Sequence, residues 1–207
     1  ALRVLGDLAP EEQIAILEKY GTAALLRLLL STSVVALFRL GAHLTPEFRN
    51  GLLDRLTPEL TAELIDKTIA THRSIGTIHL LMRELHEVAP DFLARMELAI
   101  SAEGFLRLIL ANGTIFEFFR IIQYATPEFR TPLLEQLTPQ KAEELLDKTV
   151  VAHRSIGTLS WTLRELNETD PQLLAQLERT IGAGGFVRLI RANGTLADLY
   201  NILHHTS

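Results

Sequence analysis

Cysteine is absent from the 207 residues. That excludes a disulfide framework, a thiolate metal site and a cysteine nucleophile. Aromatic residues are scarce, with one Trp, three Tyr and nine Phe. An excess of positive charge is also missing: 20 Lys and Arg stand against 25 Asp and Glu, a net charge of -5. A general polyanion binder needs a basic face, so nucleic acid is an unfavoured partner. The chain has no uninterrupted apolar run of membrane length. Its most apolar stretch, residues 23–40, holds Arg27 and Arg39 and is broken by Ser31-Thr32-Ser33. A membrane span needs about 20 residues with few or no charges, so this stretch predicts two short buried helices split at the Ser-Thr-Ser triplet. The opening Ala1-Leu2-Arg3-Val4-Leu5 lacks the charged and apolar regions of a signal peptide. It reads as the start of a piece excised from a longer, cytoplasmic protein.

What the chain has is self-similarity, the signature of repeat architectures. Residues 45–125 align without a gap on 126–206 at an offset of 81, and about half of the paired positions are identical. Thr45-Pro46-Glu47-Phe48-Arg49 returns as Thr126-Pro127-Glu128-Phe129-Arg130, and His72-Arg73-Ser74-Ile75-Gly76-Thr77 as His153-Arg154-Ser155-Ile156-Gly157-Thr158. A finer period lies inside. Four of the Gly-Thr pairs begin at 76, 113, 157 and 194, separated by 37, 44 and 37 residues. The 81-residue period is therefore a pair of units, with 1–44 as an N-terminal degenerate unit, 45–125 as the first pair and 126–207 as the second.

Each unit reads as helical. Ile78, Leu81, Met82 and Leu85 recur at spacings of 3 and 4. Thr45-Pro46, Thr57-Pro58, Thr126-Pro127, Thr138-Pro139 and Asp170-Pro171 place a capping side chain before a proline that suits the first helical position. Gly76, Gly113, Gly157 and Gly194 are expected to end helices in the left-handed conformation, with the following Thr capping the next helix. His72-Arg73 and His153-Arg154 complement helix C-termini electrostatically. Helices of this length cannot bury an apolar stripe alone, so neighbours must stack. The prediction is an all-α fold, an α-solenoid of stacked helical repeats. In general form it is similar to armadillo and HEAT arrays. The cadence of Gly-Thr, an apolar helix and Leu-Arg-Glu-Leu (Leu163-Arg164-Glu165-Leu166 in the second copy) also resembles the helical arrays of bacterial STAND-type signalling NTPases. That second resemblance implies a sensing arm; no P-loop is present.

No catalytic constellation is readable, and no cofactor is implied. His79 and His86 share a helix face but lie seven residues apart, too far for one ion, and their copies are Ser160 and Asn167. They are expected to face solvent or a groove. Gly182-Ala183-Gly184-Gly185 lacks the Lys-Ser/Thr of a phosphate loop and reads as an inter-helix turn. Asn112-Gly113-Thr114 and Asn193-Gly194-Thr195 read as turns rather than glycosylation sites. Arg83-Glu84, Asp66-Lys67 and Arg107 recur as Arg164-Glu165, Asp147-Lys148 and Arg188. They suggest polar ladders between layers in which Asp66 or Glu84 pairs with an Arg of the adjacent helix. The binding candidates are Arg83 and its copy Arg164, His79, and two aromatics that change between copies: Phe116, replaced by Ala197, and Trp161, which replaces Leu80. Repeat arrays bind along an extended concave face. The expected function is a non-catalytic scaffold or sensor for a protein, peptide or small ligand. Self-assembly is the first alternative, because a mean hydropathy of +0.19 is high and exposed end layers stack. Nucleic-acid binding is the second, resting on recurrent arginines. A mobility-shift titration with duplex DNA at low salt is expected to show no complex; a shift that weakens steeply with salt would restore that alternative.

Overall fold

In the computed structural model, residues 9–30, 33–72, 74–152 and 157–205 are described, and every regular element among them is a helix. The helices are α1 (Pro10–Leu30), α2 (Val34–His43), α3 (Pro46–Leu53), α4 (Pro58–Thr71), α5 (Ile78–Val88) and α6 (Pro90–Asn112). They continue as α7 (Ile115–Tyr124), α8 (Pro127–Gln136), α9 (Pro139–Ala152), α10 (Gly157–Thr169), α11 (Pro171–Asn193) and α12 (Leu196–His205).

The helices pack in two rows. In one, α2, α5, α7, α10 and α12 follow each other, each touching the next. In the other, α1 meets α3 and α4, these meet α6, α6 meets α8 and α9, and α9 meets α11. Between the rows α2 touches α4, α6 touches both α5 and α7, α9 touches α7, and α11 touches α10. The fold is thus an all-α helical repeat of stacked layers. Its core is continuous across them: Phe38 of α2 meets Phe105 of α6 edge-on at 5.9 Å, and Phe105 meets Phe129 of α8 at 5.3 Å.

The starts of the helices follow the capping chemistry. Thr45, Thr57, Thr138 and Asp170 each accept a hydrogen bond from the backbone N–H three residues on, satisfying a donor that a helix start leaves without a partner. Thr126 differs, because its hydroxyl is taken by Glu97 of α6. Thr114 and Glu117 form a reciprocal capping box. Ser33 caps α2, accepting from Ala36 N, so the split in residues 23–40 falls where the Ser-Thr-Ser triplet puts it; Ser31 and Thr32 themselves lie outside the described residues. α2 is buried, whereas Ala23, Ala24 and Arg27 of α1 are exposed. His72 closes α4 by donating its N–H to Thr68 O; Arg73, His153 and Arg154 lie outside the described residues.

The left-handed glycine ends are overturned. Gly113 and Gly194 close their helices with φ of -123° and -95°, and Gly157 begins a helix. Among the described residues the positive-φ positions are Gly21, Ser101 and Gly182, at φ of 67°, 66° and 70°. Each breaks one long helix into two arms, in α1, α6 and α11 respectively. Pro10, Pro90 and Pro171 begin these three helices, so α1 is a third copy of the bent helix. The sequence hides it because its offset is 80 residues instead of 81. Gly182 sits in the run read as a turn, and the bend is that turn. Gly104 and Gly185 serve a different purpose, close crossing of α6 on α4 and of α11 on α9. A methyl at Gly104 would lie 2.7 Å from Ile65 Cδ1, and one at Gly185 3.0 Å from Leu146 Cδ1.

Two buried hydroxyls tie the rows together. Thr68 accepts from Val34 N at 2.8 Å and donates to Leu64 O at 2.6 Å. Its copy Thr149 accepts from Ile115 N at 3.0 Å and donates to Leu145 O at 2.6 Å. Of the expected ladders the Asp66 one is present: Arg107 pairs with Asp66 and Arg188 with Asp147, joining α6 to α4 and α11 to α9, while among the described residues Glu84 forms no ion pair. These exposed pairs are each worth about 0.2–1 kcal/mol.

Two substitutions follow, read by urea denaturation. Thr149→Val leaves the Ile115 N–H buried without a partner and is expected to cost about 1–3 kcal/mol, with Thr149→Ser costing less. Ser101→Gly relieves a non-glycine residue in a glycine region and is expected to stabilise by about 1 kcal/mol, even though the Ser101 hydroxyl accepts from Gly104 N.

Candidate recognition trough on α5, α7 and α10

The segment Ile115–Tyr124 is apolar almost all round. Ile115, Phe116, Phe118, Phe119, Ile121 and Ile122 are all buried. A helix hydrophobic on most sides must be covered on most sides, and α7 is packed by α5, α6, α9 and α10. No residue of α7 is fully exposed; its remaining strip, Glu117, Arg120, Gln123 and Tyr124, is half-buried. On one side α5 exposes Leu80, Arg83 and Glu87, and on the other α10 exposes Trp161, Arg164 and Glu168. A half-covered strip between two helices that expose theirs is the floor of a shallow trough.

Three side chains meet in it, one from each helix, spaced 41 residues apart: His79, Arg120 and Trp161. The Arg120 guanidinium lies 3.1 Å from His79 Nε2 through Nη1 and 6.0 Å from the centre of the Trp161 ring. Arginine only donates, so Nε2 accepts and the proton of a neutral His79 sits on Nδ1. His79 is buried and neutral. Burial first, then the Arg120 charge, pull its pKa down to about 4, against a weaker upward pull from Glu117. Trp161 is 47% exposed and is the chain's single tryptophan.

Hydrogen-bonding capacity is left over along this strip. Arg120 Nε, Gln123 Oε1, Ser160 Oγ and Glu165 Oε2 are buried atoms without a partner, and each such atom costs about 1–3 kcal/mol. His79 is held in addition by a hydrogen bond to the Gly76 backbone, which pulls its pKa up. Arg120, like Arg49, is a half-buried arginine whose Nε has no partner. Arg95, Arg107, Arg130 and Arg188 each lie within 2.7 Å of a carboxylate, while among the described residues no carboxylate reaches ion-pair distance of Arg120. Glu117, on the same strip, is committed to the capping box, where its carboxylate accepts from Thr114 N at 2.9 Å.

The expected site residues therefore divide. Arg83, Arg164 and Trp161 are exposed on the trough walls, with Arg164 3.8 Å from Glu168. His79 does not face solvent: it is 7% exposed, covered by the α5–α7 contact and its arginine neighbour, whereas His86 is exposed. Phe116 is corrected from partner contact to core. It is 4% exposed, because the α7 face that carries it turns into the layer interface. Its replacement by Ala197 reflects the different surroundings of α12, where residue 197 is exposed. Arg120 was missed. Its signal is a lone cation in an aromatic helix, 41 residues from both His79 and Trp161.

A second buried ionisable group lies in the other row. Glu97 of α6 is fully buried and accepts from Thr126 N at 3.0 Å and from the Thr126 hydroxyl. Burial raises its pKa to about 7, with the Thr126 hydrogen bonds and Arg130 opposing. It borders a cavity of about 370 Å³ between α6 and α8, walled by Ala94, Leu98, Ala102, Phe129 and Pro132.

Among the described residues no group of three or more His, Asp or Glu is placed to hold a metal ion, and no helix is long and apolar enough to cross a membrane. Comparison with protein-family models, curated proteins and solved structures found no match to this chain.

The two buried groups give opposite pH dependence. Unfolded His79 takes up a proton below its ordinary 6.5 and the folded residue does not, so its contribution is lost as pH falls from about 6.5 toward 4. Folded Glu97 keeps a proton that the unfolded residue loses above its ordinary 4.5, so stability falls as pH rises from about 4.5 to 7. Urea midpoints across pH 4 to 8 are expected to show Glu97→Gln gaining on the wild type as pH rises. His79→Asn should gain on the wild type as pH falls. Parallel curves would contradict both assignments.

Proposed function

We propose that this chain is a non-catalytic recognition module that binds a peptide segment of a protein partner along the trough on α5, α7 and α10. The observation that carries the reading is the half-exposed indole of Trp161 beside the Arg120 guanidinium, which has no carboxylate at ion-pair distance among the described residues. A peptide main chain offers donors and acceptors in alternation, and exposed Trp and Arg are the side chains that most often dominate binding energy. On this reading the array works as armadillo and HEAT arrays do, with function carried by one face of a stack of helices. Its likeness to the arrays of signalling NTPases supports reading it as the sensing part of such a protein, in the cytoplasm.

A second reading, self-association through the last layer, rests on a separate observation. Phe119 and Leu106 are 0% and 1% exposed, while their copies Tyr200 and Val187 are 68% and 51% exposed. In the first copy α8, α9 and α10 follow these positions. A second copy of the chain would cover them in the second. Light scattering over a range of concentrations tests it: a mass that grows with concentration supports it, and a constant monomer mass removes it.

The peptide reading is tested by panning a random peptide display library against the wild-type chain and against Trp161→Ala. Enriched peptides are expected to bind the wild type and to lose about tenfold or more in affinity on the variant. Circular dichroism should be unchanged, because Trp161 is outside the core. Failure to enrich any peptide, or enrichment indifferent to Trp161, would reject the trough as the binding face.

A further inference from the structure

We infer that the trough selects an acidic side chain within its peptide, received by the guanidinium of Arg120. This rests on the peptide reading above and adds the chemistry that the trough selects. A half-buried cation without a carboxylate partner is an expensive arrangement in an isolated protein. Arg95, Arg107, Arg130 and Arg188 bridge helices through an acid, whereas among the described residues Arg49 bridges α3 to α2 through Ala42 O alone. Arg120 spends Nη1 on a neutral histidine nitrogen and keeps Nε without a partner. A planar guanidinium with free donors matches a carboxylate in a bidentate pair.

The surroundings narrow the ligand. Glu84, Glu87, Glu117, Glu165 and Glu168 lie on the three trough helices. They repel any anion, a doubly charged phosphate more than a singly charged carboxylate, so the one guanidinium of Arg120 suits one carboxylate. Trp161, over which Arg120 lies, offers its exposed ring to an apolar or aromatic neighbour of that acid. Because the ligand is a chain that runs across the three helices past Arg120, the carboxylate is assigned to an internal Asp or Glu and not to a chain terminus.

The test uses the peptides enriched on the full chain, with the quantum yield of Trp161 and the anisotropy of a labelled peptide as readouts. Three forms of one enriched peptide are compared. The first carries the internal Asp or Glu, the second replaces it with Asn or Gln, and the third ends at that position with a free C-terminal carboxylate. The acidic form is expected to bind about tenfold more tightly than the amide form, and Arg120→Gln to erase the difference while Arg120→Lys keeps part of it. Enriched peptides without a common acid, or equal binding of acid and amide forms to the wild-type chain, would overturn the assignment of Arg120 while leaving the peptide reading intact. Tighter binding of the terminal carboxylate would overturn the internal position. Absence of any enriched peptide would remove both readings together.

Discussion

The constraint on which the rest of this structure depends is the apolar perimeter of α7. Six of its side chains are buried, and none is fully exposed. Such a helix cannot stand at the edge of a layer. It needs neighbours from the preceding unit, from its own and from the following one, and α5, α6, α9 and α10 are those neighbours. Hydrophobic burial supplies the drive without fixing direction. The direction comes from polar contacts at its start: the Thr114–Glu117 capping box and the Thr149 hydroxyl that receives the Ile115 N–H. The same covering leaves one strip of α7 open, and Arg120 is the cation on it. Site and core are two consequences of one helix.

Duplication then explains why the pieces fit. Thr68 and Thr149, Gly104 and Gly185, and the Asp–Arg pairs 66–107 and 147–188 repeat the same contact 81 residues apart. Each contact found once solves the same packing problem twice, as expected for arrays whose stability is a sum over neighbours. The copies diverge where their surroundings diverge. His79, Arg120 and Trp161 become Ser160, Asn201 and, in the other direction, Leu80. The trough is therefore unique to the middle of the chain although its scaffold is not, and uniqueness on a repeated frame is what distinguishes a site from a structural ladder.

Much of the fold was legible in the sequence because its causes are local. Threonine or aspartate before proline marks a helix start at positions 45, 57, 138 and 170, and the side chains cap as the residue types require. That Asp66 meets an arginine of a neighbouring helix was legible from charges recurring at matched positions, but that Arg107 is the partner and that Glu84 has none among the described residues depends on which helices are adjacent. What was not legible depends on three-dimensional placement. Glycine at 113 and 194 suggests a left-handed turn, yet the backbone there is extended, and the positive φ falls on Ser101 and Gly182 inside helices. Phe116 varies between copies like a surface residue and is core, because α7 and α12 sit in different surroundings. Burial of His79 and the isolation of Arg120 depend on which helices are adjacent. Only the 41-residue spacing from His79 to Arg120 to Trp161 hinted at that adjacency.

The candidate function thus rests on a helix that is covered everywhere except where it would meet a partner. Native-state hydrogen exchange on the free chain tests that covering most directly. The amides of Phe118 to Ile122 are predicted to be among the slowest of the molecule, exchanging only on global unfolding, and slower than those of α3 and α8. If the amides of α7 exchange as fast as those two short helices, α7 is not the enclosed centre of the stack, and both the packing and the trough described here are wrong.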